Sequence, residues 1–266
     1  MPFFTAPNTI MYYDILPVNI TPVASSPAIL LVHGFASTAE NDFAPHMPLL
    51  RQRYTLIAPH LHGYGRSSPR DSYPTSYYRN DVADLIALLD ALQQPAVYVL
   101  GFSDGAIVSL LLAALHPQRV KALAVLGAQA TVSAQDVTAI RHWLLETPMS
   151  PQWQEELAHL HGEPYWRRLP AMYVQGQEGL VANGGVLITD EELARITCPT
   201  LIMHGTRDRI VPVTYAYALH EHIAGSHLYL FETGHPAHLR FAQEFTETVL
   251  QFFHNPTVPT VNTDQP

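Results

Sequence analysis

Short aliphatic runs alternate along the chain with longer segments of helical periodicity. The aliphatic runs occupy positions 28–33, 54–58, 96–100, 121–126, 200–204 and 227–231. Several are apolar without interruption, which is typical of strands that are covered on both faces. Segments with apolar positions at helical spacing occupy 78–93, 106–116 and 236–253. The alternation predicts an α/β fold, with a mostly parallel central sheet and helices on both faces.

The alternation stops between residues 129 and 196. This segment has no convincing strand run, but it has several helical patches and all three tryptophans of the chain, Trp143, Trp153 and Trp166. We interpret 129–196 as a helical cap that is inserted between two strands and folded over the sheet edge. Large apolar side chains are usually buried, so each tryptophan is a candidate for packing as well as for lining a pocket. Trp143 and Trp166 are our candidates for substrate binding.

The cap divides the rest of the chain into a discontinuous core and a tail. Residues 1–128 and 197–254 are expected to form the core, which holds all the predicted strands. Residues 255–266 are rich in Pro and Thr without periodicity, and they are expected to form a loose tail.

The composition is that of a globular protein, with 47% hydrophobic and 14% charged residues in a chain of 266. Lys and Arg number 14 against 23 Asp and Glu, and the net charge of -9 argues against nucleic acid or an anionic membrane as a partner. A small neutral or cationic molecule is the expected ligand. The N-terminal residues lack the pattern of a signal peptide, and the longest apolar run, 106–115, is too short to span a bilayer. With Cys198 as the single cysteine, no internal disulfide can form, and we expect a cytoplasmic protein.

The stretch "GFSDG", residues 101–105, lies where a predicted strand ends and a predicted helix begins. Gly-x-Ser-x-Gly in this context is the sequence form of a nucleophile elbow, in which small flanking residues let backbone segments approach closely around a strained serine. A serine hydroxyl is a weak nucleophile near neutral pH, so Ser103 requires a histidine base and a carboxylate that orients the base. Both are expected at the ends of later strands.

Candidates for both follow the last two predicted strands. Asp208 lies in "GTRDRIVP" and His235 in "ETGHPAH", so the order along the chain is Ser, Asp, His. His238 is a less suitable base because it falls at the start of the last predicted helix, where capping or packing is its expected role. Glu232 directly follows its strand and is interpreted as a surface carboxylate.

The loop "HGFAST" after the first predicted strand supplies a candidate oxyanion hole. The backbone N–H groups of Phe35 and Asp104 are the predicted donors, because acyl transfer needs donors aimed at the developing negative charge. The side chains of the same two residues are also candidates for substrate binding. His33, which starts the loop, is expected to hydrogen-bond neighbouring loops rather than to take part in the chemistry.

Five segments resemble a known family: "LLVHGFAS", "APHLHGYGRSSP", "VLGFSDGAIVSLLLAALHPQRV", "CPTLIMHGTRDRIVP" and "ETGHPAHLRFAQEF". In this order they resemble the α/β-hydrolase superfamily over nearly the whole chain outside 129–196. Within it, the Ser-Asp-Gly elbow and "GAQATVSAQD" look most like the valacyclovir hydrolase, or biphenyl-hydrolase-like, group. The resemblance implies an α/β-hydrolase fold and, from that group, binding of a substrate α-amino group by the aspartate after the nucleophile, here Asp104. One departure is the loop with His60 and His62, where many relatives have an aspartate.

Asp104 therefore has two interpretations. Its carboxylate either receives a substrate ammonium by a charge-assisted hydrogen bond, or it is a first-turn residue favoured by the helix dipole, of which only the N–H matters. The expected reaction is hydrolysis of small carboxylic esters, including α-amino acid esters, through an acyl-enzyme. Hydrolysis of a β-diketone carbon–carbon bond, a lactone or an amide by the same residues stays open, as does a non-enzymatic small-molecule binder.

Two other chemistries fit the sequence poorly. The stretch "GYGRSS" lacks the third glycine of a dinucleotide-binding loop. His60 and His62 have no carboxylate or further histidine at a ligand-like spacing. No metal and no other cofactor is expected.

Overall fold

The six predicted aliphatic runs all form strands of one sheet. The computed structural model describes residues 2–19 and 27–256, so residues 257–266 of the predicted tail lie outside the described residues. The strands are β1 (Phe3–Thr5), β2 (Ile10–Leu16), β3 (Ala28–Val32), β4 (Thr55–Pro59), β5 (Val97–Phe102), β6 (Val120–Leu126), β7 (Thr200–Gly205) and β8 (His227–Phe231). Within the described ranges their order is β1-β2-β4-β3-β5-β6-β7-β8. All pairs from β4 to β8 are parallel, which confirms the predicted α/β class.

The sequence pattern misses two strands, β1 and β2, at one edge of the sheet. They pair antiparallel with each other, and β2 pairs antiparallel with β4. Ile10 and Ile15 of β2 are exposed, whereas Met11 is fully buried. Because these two strands near the edge are only partly covered, their apolar positions do not form the continuous run that marks the central strands.

Helices flank the sheet on both faces. They are α1 (Ala39–Phe43), α2 (Met47–Leu50), α3 (Tyr77–Ala91), α4 (Asp104–Leu115), α5 (Ala134–Arg141), α6 (Pro151–His161), α7 (Leu169–Ala182), α8 (Asp190–Leu193), α9 (Thr214–His222), α10 (Ala237–Arg240) and α11 (Ala242–His254). The last predicted helix, 236–253, is in fact divided at Phe241, whose backbone leaves the helical region at φ -118° and ψ 46°. The Phe241 ring packs near that of Phe231, with ring centroids 5.7 Å apart. The short α10 therefore directly follows the loop that carries His235.

The central strand β3 shows how the core is divided by the sheet. Every residue of β3 is buried. Leu30 and Val32 belong to the apolar cluster that includes α3 and α4, while Ile29 and Leu31 belong to the cluster that includes α1 and α11. Side chains alternate between the two faces of a strand, so β3 is covered on both faces. The parallel strands end at one edge of the sheet, where the loops that follow them meet.

Between β6 and β7 the chain forms α5 to α8, together with a π-helical turn at His142–Glu146 and a 3-10 turn at Tyr165–Arg167. Trp166 and Leu169 of this segment pack into the same apolar cluster as α3 and α4. The boundaries of a separate cap at residues 129 and 196 stay a prediction. None of the helices in the described ranges is long and apolar enough to cross a membrane.

Four histidines outside the predicted triad are fully buried. One of them, His204, lies beside Asp208, and the other three are His33, His46 and His238. Burial lowers the pKa of His33 and of His238 to about 3, because the imidazolium loses its hydration. Burial lowers the pKa of His46 to about 4 for the same reason. All three are therefore neutral in the folded protein over the physiological pH range, whereas they take up protons below about pH 6.5 in the unfolded chain.

We expect the free energy of unfolding to fall as the pH drops from about 6.5 toward 4, since only the unfolded chain gains protons at these histidines. Each histidine contributes about 1.4 kcal/mol per pH unit in that window. Urea unfolding at a series of pH values measures the slope. His238→Met is expected to reduce the slope of unfolding free energy against pH by the contribution of one histidine. The exposed His254→Met is the control. An unchanged slope in His238→Met would contradict this account.

Candidate active site

Ser103 lies at the junction between β5 and α4 with a strained backbone. Its φ of 54° and ψ of -123° fall outside the regions that non-glycine residues normally adopt. The Ser103 N–H donates a hydrogen bond of 2.9 Å to the Leu126 carbonyl at the end of β6. This bond holds the turn against the neighbouring strand. A strained backbone of this kind persists only where its surroundings fix it.

The glycines on either side of Ser103 are required by close contacts. A Cβ atom on Gly101 would lie 2.4 Å from the Ser109 Oγ, and one on Gly105 would lie 2.2 Å from the Val32 carbonyl oxygen. Neither position has room for any side chain. The Gly-x-Ser-x-Gly pattern thus lets α4 approach β3 while Ser103 stays at the tip of the turn.

The loops after β7 and β8 bring Asp208 and His235 to Ser103. The His235 Nε2 atom lies 2.9 Å from the Ser103 Oγ, and the His235 Nδ1 atom lies 2.6 Å from the Asp208 Oδ2. The Asp208 Oδ1 accepts hydrogen bonds from the backbone N–H groups of Ile210 and Val211, at 2.8 and 2.9 Å. The three residues proposed from the sequence therefore form one continuous hydrogen-bond chain.

The environment of Asp208 favours its ionised form. Burial raises the pKa of Asp208, but hydrogen bonds from His235 and from the Val211 N–H outweigh it, so that the pKa lies below its ordinary value. An ionised Asp208 accepts from the His235 Nδ1–H, which leaves Nε2 free to accept a proton.

The two rival residues lie elsewhere. His238 is fully buried, with its ring centroid 4.2 Å from that of Phe102, so it packs behind the site. Glu232 is exposed. In the part of the chain that the structure describes, neither side chain hydrogen-bonds to Ser103, whose Oγ pairs with His235.

The loop after β3 places the Phe35 amide beside the serine. A Cβ on Gly34 would lie only 3.2 Å from the Ser103 Cβ, so this turn is in contact with the elbow. The Gly34 N–H is occupied, because it donates to the Asp42 Oδ2 at 2.8 Å. Within the described residues, the N–H groups of Phe35 and Asp104 donate no hydrogen bond to the protein. Both amides are therefore available as the two predicted oxyanion donors.

His33 holds the same loop, as the sequence indicates. Its Nδ1–H donates to the Gly34 carbonyl at 2.8 Å, and its Nε2 accepts from the Leu61 N–H at 2.9 Å. The ring thus joins the loop after β3 to the loop after β4 and has no contact with Ser103 among the described hydrogen bonds.

A cavity of about 620 Å³, including its open mouth, lies over Ser103. It is lined by Phe35, Tyr78, Phe102, Ser103, Asp104, Ile107, Gly127, Gln129, Ile140, Trp143, Tyr173, Gln177, Ile210, Val211 and His235. Of the described residues that line it, none is Lys or Arg, while Asp104 adds a carboxylate. The cavity is therefore suited to a neutral or cationic ligand more than to an anionic one.

The Asp104 carboxylate is buried and only half satisfied. Its Oδ1 accepts hydrogen bonds from the hydroxyl groups of Tyr78 and Tyr173, at 2.9 and 2.8 Å. Its Oδ2 is buried without a hydrogen-bond partner among the described residues. Burial raises the pKa of Asp104, and the two phenol hydrogen bonds and the positive charge of Arg70 offset this only in part.

The two tryptophan candidates are placed differently. Trp143 lines the cavity and stacks on Trp153, with ring centroids 5.5 Å apart. The structure does not bring Trp166 to this cavity: it is buried in the apolar core, where its hydrophobic surface is used for packing.

Sequence analysis misses Tyr78, Tyr173 and Gln177 as site residues. Tyr173 and Gln177 lie one helical turn apart in α7, and this spacing is the one signal that places them on a common face. The sequence otherwise does not distinguish these side chains from other residues of the predicted helices.

The loop with His60 and His62 has a structural explanation. The His60 Nδ1 accepts from the Arg66 N–H at 2.9 Å, and its Nε2 lies 3.0 Å from the Glu40 Oε2. His60 thus closes the turn that contains "GYGRSS". Among residues 2–19 and 27–256, no group of three or more His, Cys, Asp or Glu side chains is spaced to hold a metal ion.

We expect Gly105→Ala to destabilise the fold by at least about 2 kcal/mol, because the new Cβ would overlap the backbone of β3. Gly179→Ala is a matched control, since Gly179 also lies in a helix but has no atom within 4 Å of the added Cβ. This control is expected to stabilise the protein by roughly 0.5 to 1 kcal/mol. Chemical unfolding of both variants measures the difference, and equal stabilities would show that the close approach at the elbow is not limiting.

The comparisons with known proteins agree with this architecture. A family model described as alpha/beta hydrolase fold matches residues 27–242. Serine hydrolase BPHL of Homo sapiens is 33% identical over 228 residues, which cover 85% of this chain and 78% of the human protein. Its counterpart of the same name from Mus musculus is 35% identical over the same shares.

Among solved structures, 2-hydroxy-6-oxo-6-phenylhexa-2,4-dienoate hydrolase from Rhodococcus sp. strain RHA1 has a TM-score of 0.78 at 21% identity, covering 95% of this chain and 98% of that chain. This likeness shows a shared fold. The matches to the two serine hydrolases confirm the resemblance to the biphenyl-hydrolase-like group that the motifs predict. The chain belongs to the α/β-hydrolase family, and it is a hydrolase.

Proposed function

We propose that this hydrolase cleaves small carboxylic esters, with esters of α-amino acids as the preferred class, through an acyl-enzyme on Ser103. The observation that carries the proposal is the hydrogen-bond chain from Ser103 through His235 to Asp208, which is the arrangement that activates a serine hydroxyl. The serine hydrolases to which the chain is similar support the same chemistry.

In the first half of the reaction the Ser103 Oγ attacks the ester carbonyl carbon. His235 Nε2 takes the hydroxyl proton, and the carbonyl oxygen becomes an oxyanion that accepts from the N–H groups of Phe35 and Asp104. When the tetrahedral intermediate collapses, the bond to the alcohol oxygen breaks, and His235 gives its proton to the leaving alcohol.

Water completes the cycle. His235 Nε2 now takes a proton from water, the resulting hydroxide attacks the acyl carbon, and the ester bond to Ser103 breaks as His235 returns the proton to Oγ. Asp208 stays ionised throughout and stabilises the imidazolium that forms twice in each turnover. The products are a carboxylic acid and an alcohol.

The preference for an α-amino group is supported by the unsatisfied oxygen of Asp104. A buried carboxylate oxygen without a partner is costly, and a substrate ammonium would supply both a donor and a compensating charge. Because Asp104 directly follows Ser103, an ammonium bound there would place an α-carbon close to the nucleophile. The lack of Lys and Arg among the described lining residues is consistent with this substrate charge.

Two further proposals concern the setting of the site. We propose that residues 129–196 act as its cap, since Trp143, Tyr173 and Gln177 of this segment line the cavity. We also propose a cytoplasmic location, which the single free cysteine, Cys198, supports.

We expect Ser103→Ala to lower kcat/KM for every cleaved substrate by a factor on the order of 10⁴ or more, because no nucleophile is left. A panel of chromogenic esters, aminoacyl esters, lactones, amides and ring-cleavage diketones measures both the substrate class and this loss. Ser109→Ala, which removes a hydroxyl from the same helix, is the control. Activity that survives in Ser103→Ala would overturn the mechanism, and the absence of both turnover and fluorophosphonate labelling in wild type would favour a binding protein.

We expect Asp104→Asn to lower the ratio of kcat/KM for an α-aminoacyl ester over its des-amino analogue by about 10- to 100-fold, the value of a charge-assisted hydrogen bond. The des-amino ester is an internal control, because the substitution keeps the Asp104 backbone N–H and nearly the same side-chain shape. A ratio equal to that of wild type would mean that only the backbone of Asp104 takes part.

A further inference from the structure

The short loop that carries the Phe35 N–H is fixed by buried side chains on both sides. On one side the Asp42 carboxylate accepts from the Gly34 N–H at 2.8 Å. On the other side the His161 Nε2–H donates to the Ala36 carbonyl at 3.0 Å. The peptide that bears the Phe35 N–H lies between these two anchors.

Ala36 makes the second anchor necessary. Its φ is 52°, a left-handed conformation that residues with a Cβ rarely adopt and that persists only where the surroundings hold it. If the Ala36 backbone rotated out of this conformation, its carbonyl group would move. Among the described residues, that carbonyl accepts a hydrogen bond from His161. The bond to His161 therefore keeps the loop in its strained form.

His161 joins helix α6 to two loops of the sheet edge. It is the last residue of α6, and its ring is buried. Its Nδ1 accepts a hydrogen bond of 2.8 Å from the Gly65 N–H in the loop after β4. Its Nε2–H donates to the Ala36 carbonyl in the loop after β3. These partners require the neutral ring with the proton on Nε2, since the imidazolium has no acceptor for the Gly65 N–H.

We propose that His161 is a positioning residue for the oxyanion hole: through its hydrogen bond to Ala36, helix α6 aims the Phe35 N–H at the reacting carbonyl oxygen. The inference rests on the acyl-enzyme mechanism proposed above. It assigns to the segment between β6 and β7 a part in the rate of the reaction and not only in the shape of the cavity.

Substrate binding and oxyanion binding are separable in this arrangement. The Phe35 ring lines the cavity and is packed against Tyr173, with ring centroids 4.0 Å apart, so it keeps a direct contact in the cavity when the His161–Ala36 bond is lost. Loss of the His161–Ala36 bond should therefore affect the transition state, in which the oxyanion forms, more than the bound substrate.

The two ring nitrogens of His161 can be tested one at a time. The Asn amide takes the place of Nδ1, so His161→Asn keeps a partner for Gly65 but loses the donor to Ala36. The Gln amide reaches the place of Nε2, so His161→Gln keeps the donor to Ala36 but loses the acceptor for Gly65. The exposed His159→Asn on the same helix is the control for the substitution itself.

We expect His161→Asn to lower kcat for the best ester by about 10- to 100-fold. This is less than the loss that follows complete removal of one oxyanion donor, because the Phe35 N–H is displaced and not removed. KM is expected to stay within about threefold of wild type. His161→Gln is expected to rescue most of this loss. The inhibition constant of a trifluoromethyl ketone analogue, whose adduct with Ser103 bears an oxyanion, should rise in His161→Asn by the same factor as kcat/KM falls.

Equal activities of the Asn and Gln variants, or an unchanged inhibition constant in His161→Asn, would overturn the inference. Should His161→Asn fail to fold, the same pair is made in the Gly179→Ala background, which is expected to stabilise the protein and leaves Ala36 unchanged. If Ser103→Ala keeps the activity of wild type, the proposed acyl-enzyme mechanism is overturned. Failure of that mechanism and failure of the inference about His161 are therefore distinguishable.

Discussion

The left-handed backbone of Ser103 is the constraint on which the site depends. A residue with a side chain leaves the favoured regions only when several contacts hold it there, and three elements do so here. Strand β6 accepts its N–H, α4 starts directly after it, and β3 lies close enough to α4 to exclude a side chain at Gly105. The fully buried strand β3 thus helps to fix the Ser103 hydroxyl group at the edge of the sheet.

Three buried carboxylates near His235 show how local donors decide charge. Asp208 has a lowered pKa because the hydrogen bonds from His235 and from the Val211 N–H outweigh the effect of its burial. Asp42 has its pKa raised to about 6, with burial outweighing the hydrogen bonds from Gly34 and Ser37. Asp104 also has a raised pKa, because burial outweighs the hydrogen bonds from two phenols, which satisfy only one of its oxygens. The number of donors around each carboxylate separates a fixed anion from groups that respond to a ligand or a proton.

The sequence predicts the parts of the site that lie at the ends of parallel strands. Ser103, Asp208 and His235 each follow an uninterrupted aliphatic run, and such strands end at one edge whatever the details of packing. Strands β1 and β2 escape the same reasoning because both are only partly covered and have no continuous apolar run. No helical period indicates the division of the last helix at Phe241, where the backbone leaves the helical region and the ring lies beside Phe231 of β8.

Side chains that reach the site from helices are the part that the sequence does not indicate. Tyr78 and Tyr173 meet at Asp104 from α3 and α7, which are nearly a hundred residues apart, and a tyrosine at an apolar position is most often interpreted as core. His161 is a similar case, because a histidine at the end of a helix is expected there for the helix dipole alone. Only the tertiary structure shows that its two nitrogens join separate loops.

The segment between β6 and β7 begins and ends at adjacent, parallel strands. The sheet therefore places little restriction on its length, and a long connection adds only slowly to the entropy cost of closing the chain. Such a segment can diverge in evolution, or be exchanged by design, while the strands keep their register. Here the exchange has a limit, because the segment carries His161. A replacement without a hydrogen-bond donor at that position would leave the Ala36 carbonyl without this hydrogen bond.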